Sequence, residues 1–248
     1  MSTPDAKDFD EWYADMGLVN VKDDIVQRHL GLPPELLSTS LLPWEGIAEA
    51  VDALGLTAQS TLVDLACGRG GYGLEVARRV GARLIGIDFS AEAIRLAGEH
   101  ARARGQEADF RVGDLAATGL DHASVDAVMV VDAIQFAAPP AAAYAEIHRV
   151  LRPGGRVLLS NWEDDSGDDA VPARLREVDL AGGLADAGFH DVEVVERPGW
   201  RARELAMWAE AAGLDPGDDP AVQSFHDEGV MVLAMPPSVR RVLATATR

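Results

Sequence analysis

Between residues 61 and 161 the chain alternates short apolar runs with amphipathic stretches, joined by turns of only a few residues. T-L-V-D-L-A (61–66), R-L-I-G-I-D (83–88), A-D-F-R-V-G-D (108–114), V-D-A-V-M-V-V (125–131) and R-V-L-L-S-N (156–161) read as strands. Residues 71–80, 90–104 and 140–151 read as helices. Ser90 is placed to cap the second, and R-P-G-G (152–155) stops the third. Such alternation dictates a parallel sheet with helices on both faces. Each crossover must be right-handed, and strands buried on both sides need cover on both sides.

Ligands of such sheets bind beyond the carboxyl ends of the strands, near the point where strand order reverses. Asp64, Asp88, Asp114 and Asp132 lie at or just past four of those ends. A single acid there is often only a helix cap; four suggest a site. After residue 161 the pattern changes. An acidic loop (161–170) leads to a helix-like stretch (172–189) interrupted at Gly182-Gly183. A strand (190–196), two helix-like stretches (198–213 and 221–235) and a final strand (238–248) follow. Before residue 61 there are three helix-like pieces, 8–17, 21–30 and 44–54. The expected organisation is an N-terminal helical lid over residues 1–55 and a ligand-binding domain over 56–248. That domain carries an insert, 198–237, between its last two strands.

Composition bounds the partners. The 248 residues carry 22 Lys+Arg against 41 Asp+Glu, a net charge of −19. That field repels phosphate backbones and anionic lipid, so neither nucleic acid nor membrane is expected as a partner. No apolar run approaches the ~20 residues that span a bilayer. The single cysteine, Cys67, leaves no internal disulfide. With no apolar leader in M-S-T-P-D-A-K-D-F-D, a cytoplasmic protein is expected. There is no C-x-x-C or H-x-x-x-H, so no metal site is expected.

The turn D-L-A-C-G-R-G-G-Y-G (64–73) spells G-x-G-x-x-G through Gly68, Gly70 and Gly73, with Asp88 twenty residues after Gly68. That spacing also suits a dinucleotide. Asp64, however, would oppose a pyrophosphate on the following helix N-terminus. It favours a cationic ligand instead, by roughly a few kcal/mol at an effective dielectric near ~20. Together with G-I-D-F-S (86–90), V-G-D-L (112–115), V-V-D-A-I-Q-F (130–136) and E-I-H-R-V-L-R-P-G-G-R-V-L-L (146–159), the turn resembles the class I S-adenosylmethionine-dependent methyltransferases. Ala66 stands where the family has its first glycine. It is small enough to let the backbone approach the ligand.

The resemblance implies an α/β fold: a Rossmann-like, seven-stranded, mostly parallel sheet with helices on both faces and an antiparallel last strand. It implies S-adenosylmethionine as cofactor, held by Asp64, Ala66, Cys67, Gly68, Gly70, Asp88, Phe89, Asp114, Leu115, Asp132 and Ala133. Asp88 would take the ribose hydroxyls and Asp114 the adenine amino group. The reaction implied is methyl transfer by in-line displacement. No Asn-Pro-Pro-Tyr-like segment follows residue 131, which with the charge of −19 points to a small-molecule acceptor, and the aromatic insert, the N-terminal lid and the resemblance to stand-alone methyltransferases of secondary metabolism suit one of the natural-product type. Three alternatives stay open at this point: other chemistry on the same fold, such as a cyclisation, an NAD(P)-dependent oxidoreductase, and a non-enzymatic sensor or partner-binding module on the same fold.

Methyl transfer asks the protein mainly to align acceptor, methyl and sulfur and to exclude water. A base is needed only for a weakly acidic acceptor. His29 and His226, in the segments expected to cover the site, are the candidates, with Tyr13 reaching in from the first helix. Gln135, Phe136, Trp162, Trp200 and Trp208 are the expected acceptor contacts. The working assembly is a monomer or homodimer with a small-molecule partner.

Overall fold

The computed structural model describes residues 6–15 and 21–248. The apolar runs become strands β1 (Thr61–Leu65), β2 (Arg83–Asp88), β3 (Asp109–Val112), β4 (Val125–Val131) and β5 (Leu151–Glu163), followed by β6 (His190–Glu196) and β7 (Arg240–Thr247). They form one seven-stranded sheet in the order β3-β2-β1-β4-β5-β7-β6. The first five pair in parallel. β7 inserts between β5 and β6, antiparallel to both. The order reverses between β1 and β4, so the ends of these two strands open onto the site.

Side chains alternate across the sheet with the period of two that a strand imposes. Val128 and Val130 of β4 enter one core layer with Val63, Leu65 and Leu159, and Met129 and Val131 enter the other with Leu62 and Leu158. Helices α1 (Ala6–Asp15), α2 (Val21–Leu30), α3 (Trp44–Leu54), α4 (Gly71–Val80), α5 (Ala91–Ala103) and α6 (Pro140–Val150) precede or separate the first strands. α7 (Ala173–Arg176), α8 (Leu180–Asp186), α9 (Pro198–Ala211) and α10 (Pro220–Leu233) follow β5. Ser90 caps α5, its hydroxyl accepting the Ala93 N–H at 3.0 Å. Within residues 1–55, α3 lies in the core with Ile47 and Ala50 fully buried, and α2 packs on α9. α1 touches α5 and lies across the strand ends. Residues 16 and 17 of the expected first helix lie outside the described residues.

Two expectations about the last third need correction. The stretch 172–189 does break, but at residues 177–179 rather than at the glycines. Asp179 accepts the Gly182 N–H at 2.8 Å and starts α8 there, so Gly182 and Gly183 sit inside the helix. The glycines answer a packing need instead: a Cβ on Gly183 would lie 2.2 Å from the Tyr144 ring of α6. The segment 161–170 begins as strand, because β7 pairs with Asn161, Trp162 and Glu163 and keeps β5 extended.

Gly183→Ala should therefore destabilise the protein by about 1–3 kcal/mol through overpacking. The check is urea unfolding beside Gly199→Ala, where an added Cβ meets nothing within 4 Å.

Candidate active site

The turn after β1 is stitched by the two acids at the ends of β1 and β2. Asp64 Oδ2 accepts the Gly73 N–H at 3.0 Å from beneath α4. Asp88 reaches across with Oδ2 to the Gly68 N–H at 2.8 Å and with Oδ1 to the Ser90 N–H at 2.9 Å. Ala66, Gly68 and Gly70 all take positive φ, +60°, +53° and +78°. A Cβ on Gly68 would come within 2.7 Å of both the Tyr13 and Thr39 hydroxyls, so glycine is needed there for space as well as for φ.

α1 roofs these strand ends. Asp10 accepts from the Ser90 hydroxyl and, at 3.1 Å, from the Glu92 N–H, adding a second cap to α5. Phe9 lies 5.1 Å from the Phe89 ring after β2 and 5.5 Å from the Phe136 ring after β4. Tyr13 is buried and hydrogen-bonded to Thr39, and burial pushes its phenol well above the ordinary range. A strap at residues 38–42 closes the side. The Tyr72 hydroxyl donates to the Ser40 and Leu42 carbonyls, and the Leu41 N–H reaches Asp132 Oδ2 at 2.8 Å.

Asp132 ends β4 with φ +58° and carries more than the strap. Its Oδ1 accepts from Ser160 Oγ at 2.7 Å and faces Arg241 Nη1 at 2.6 Å. Arg241, fully buried on β7, also meets Glu204 of α9 at 2.8 Å. Glu204 Oε2 accepts the Trp162 indole N–H at 2.9 Å, and the Arg241 guanidinium stacks 4.3 Å from the Trp162 ring centre. Burial raises the Glu204 carboxyl above the usual range while Arg241 pulls it down.

Between roof, strap and insert lies one cavity of about 470 Å³, on the scale of roughly 300–1,000 Å³ that holds small ligands. At one end Ala66, Asp88, Phe89, Asp114 and Leu115 line it under α1. Asp132, Ala133, Gln135 and Phe136 stand in the middle. Trp162, Arg174, Arg201, Trp208, Glu228 and Met231 line the far end.

The structure thus gathers most residues singled out in the sequence, Tyr13 included, but not all of them. Asp64, Cys67, Gly68 and Gly70 shape the turn without lining the cavity. Asp64 is spent on the Gly73 amide, and burial drives the Cys67 thiol pKa well up. Trp200 also lies off the cavity. Its indole N–H donates to Glu45 at 3.0 Å and its ring packs on Gly46, locking α9 to α3. Neither histidine lines the cavity. His29 sits about a turn beyond Val26, the last α2 residue on the wall, and pairs with Glu210 at 2.7 Å. His226 pairs with Asp227 at 3.0 Å. The α10 face that looks inward carries Glu228, Met231 and Val232, a helical i, i+3, i+4 stripe, and His226 is about 200° around from Glu228.

A family model for a methyltransferase domain matches residues 62–155. Phosphoethanolamine N-methyltransferase 1 of Triticum aestivum is 30% identical over 164 residues, covering 62% of this chain and 33% of its own length. The chain thus spans about a third of the length of that relative. The ubiquinone biosynthesis O-methyltransferase of Ralstonia nicotianae is 29% identical over 191 residues, 76% of each chain. Among solved structures, phosphoethanolamine N-methyltransferase 2 of Haemonchus contortus, in complex with S-adenosyl-L-methionine, superposes with a TM-score of 0.73. It covers 93% of this chain and 60% of that one at 18% identity, which is a likeness of fold.

The chain belongs to the class I S-adenosylmethionine-dependent methyltransferases. Family membership removes the oxidoreductase alternative, and the cavity agrees. Beside the glycine turn the cavity presents the carboxylates of Asp8, Asp88 and Asp114. A pyrophosphate would be repelled there, whereas the cofactor's sulfonium and ammonium are attracted. Asp88 already accepts one N–H on each oxygen and keeps lone pairs for two hydroxyl donors.

What the sequence reading missed at this methyltransferase site are Lys22, Arg174, Arg201 and Glu228. The inward stripe on α10 was the available signal for Glu228. Nothing local marks the other three.

Arg241→Met would leave Asp132 buried without a cation and Glu204 with only Arg201 at 3.6 Å, and should cost about 3–5 kcal/mol in denaturant unfolding. Asp64 gives a pH signature. Burial raises its carboxyl to about 7, against 3.8 when unfolded. The folded state then holds a proton that the unfolded state has lost, so this group's contribution to stability falls as pH rises from about 4 to about 7. Asp64→Asn should lose less stability than the parent between pH 5 and pH 8, by on the order of 2 kcal/mol. Equal losses would remove Asp64 as the cause.

Proposed function

We propose that this methyltransferase moves a methyl group from S-adenosylmethionine to a small-molecule acceptor of the natural-product type, by in-line displacement. The observation that carries the reading is the two-ended cavity. Its acid-lined end beside the glycine turn and its aromatic, methionine-bearing end meet at Asp132–Phe136. A cofactor at one end and an acceptor at the other would meet there.

S-adenosylmethionine supplies an electrophilic methyl on a sulfonium leaving group. The chain's own residues do the rest. Asp88, Phe89, Asp114 and Leu115 would hold the nucleoside part, and Ala133 and Asp132 flank the route to the acceptor. Phe9, Tyr13, Phe89 and Phe136 exclude water from the junction, which favours a displacement in which charge is neutralised. Trp162, Trp208 and Met231 offer the acceptor an apolar wall. Glu228 is the carboxylate at the acceptor end with no partner as close as those of Asp132, so it is the group to take a proton from a hydroxyl acceptor. Tyr13, with its raised pKa, stays protonated and orients rather than accepts.

Titration calorimetry with S-adenosylhomocysteine, with NAD+ in parallel, tests the cofactor half. Micromolar binding of S-adenosylhomocysteine and none of NAD+ is expected. Asp88→Ala should weaken binding at least ~100-fold, since two hydrogen bonds to a charged acceptor are lost at about 1.5–3 kcal/mol each. Mass spectrometry of turnover with a broad acceptor panel tests the other half. Release of S-adenosylhomocysteine matched by a product heavier by one methylene supports methyl transfer. A converted product of unchanged mass, with the cofactor intact, would overturn it.

A further inference from the structure

Resting on that reading of the cavity, we propose that the acceptor is a monoanionic acid: an apolar body whose carboxylate seats on Arg174. Two observations converge. The first is a guanidinium without an ion pair among the described residues. Arg201 has Glu204 at 3.6 Å, and Arg241 has Asp132 and Glu204. Arg174 has no carboxylate at ion-pair distance among the described residues, and its buried Nε has no hydrogen-bond partner. It sits on the cavity wall, 5.7 Å from the Phe136 ring centre. A planar fork of donors in that state fits the two oxygens of a carboxylate.

The second is charge. Of the residues that line the cavity around Trp162, Trp208 and Met231, three are basic, Lys22, Arg174 and Arg201, and two are acidic, Asp132 and Glu228, a local excess of one cation in a chain of net −19. A monoanion balances it. A phosphate dianion overshoots it with Glu228 close to the same arginine. A neutral ligand leaves the excess standing. Trp162, Trp208, Met231 and Met235 then receive the apolar body.

The test uses the full chain saturated with S-adenosylhomocysteine and three probe acids: 4-hydroxyphenylacetate, 4-hydroxycinnamate and 12-hydroxydodecanoate. Each is compared calorimetrically with its primary amide, and the first also with 4-hydroxyphenyl phosphate. At least one acid should bind ten-fold or more tightly than its amide and than the phosphate. Arg174→Gln should erase that preference by weakening the acid and leaving the amide, and Arg174→Lys should keep part of it. Thermal melts of both variants control for folding, and the parent's own acid-to-amide ratio needs no variant. If every amide or the phosphate binds as well as the acids, if no probe binds, or if Arg174→Gln keeps the preference, the proposal falls. S-adenosylhomocysteine binding separates the two readings. If it fails, the methyltransferase reading fails; if it holds and the acid preference is absent, only this inference fails.

Discussion

The buried contact among Asp132, Arg241 and Glu204 is the joint on which the site hangs. It ties the end of β4 to β7, the last strand to be made, and both to α9 in the insert. Through Asp132 it also holds the 38–42 strap, and through Glu204 it fixes the Trp162 indole. Charges this deep are costly to bury, and they persist only when paired and bonded on several sides. Asp132 has three partners, and its left-handed backbone is tolerable because those partners over-determine it. The floor of the cofactor end and the wall of the acceptor end are therefore one rigid piece. The in-line transfer proposed above would need that, because a shift of about 1 Å between reacting groups is expensive in rate.

Charges of both signs line the cavity. Asp8, Asp88 and Asp114 come from α1 and the ends of β2 and β3; Lys22 comes from α2, and Arg174, Arg201 and Glu228 from the helices after β5. The arrangement follows from topology. Parallel strands deliver their terminal acids to a single edge, and helices from both ends of the chain bring basic residues over it.

Roof and turn are built by the same economy of contacts. Asp88 holds Gly68 and starts the α5 segment through Ser90, while Asp10 from α1 caps that helix a second time. Three segments far apart in sequence thus share one small set of hydrogen bonds, and the aromatic cluster around Phe9 dries the space beneath.

The strands, most helices, the glycine turn and the acids at the strand ends were legible in the sequence because each rests on local chemistry: hydrophobic period, caps, glycine at positive φ. The 64–73 turn and Ser90 illustrate this. Side chains whose roles depend on distant partners were not. Trp200 belongs to α3 through Glu45, His29 to Glu210, and His226 faces away from the cavity because a helix turns about 100° per residue. Arg174 acquires meaning only when α7 lies against the turn after β4. By itself the sequence determined the α/β architecture and the cofactor class, since periodicity and turn chemistry are carried by neighbours in the chain. The tertiary structure alone decided which side chains face the acceptor and which charges pair, because those are settled by contacts between residues tens to hundreds of positions apart.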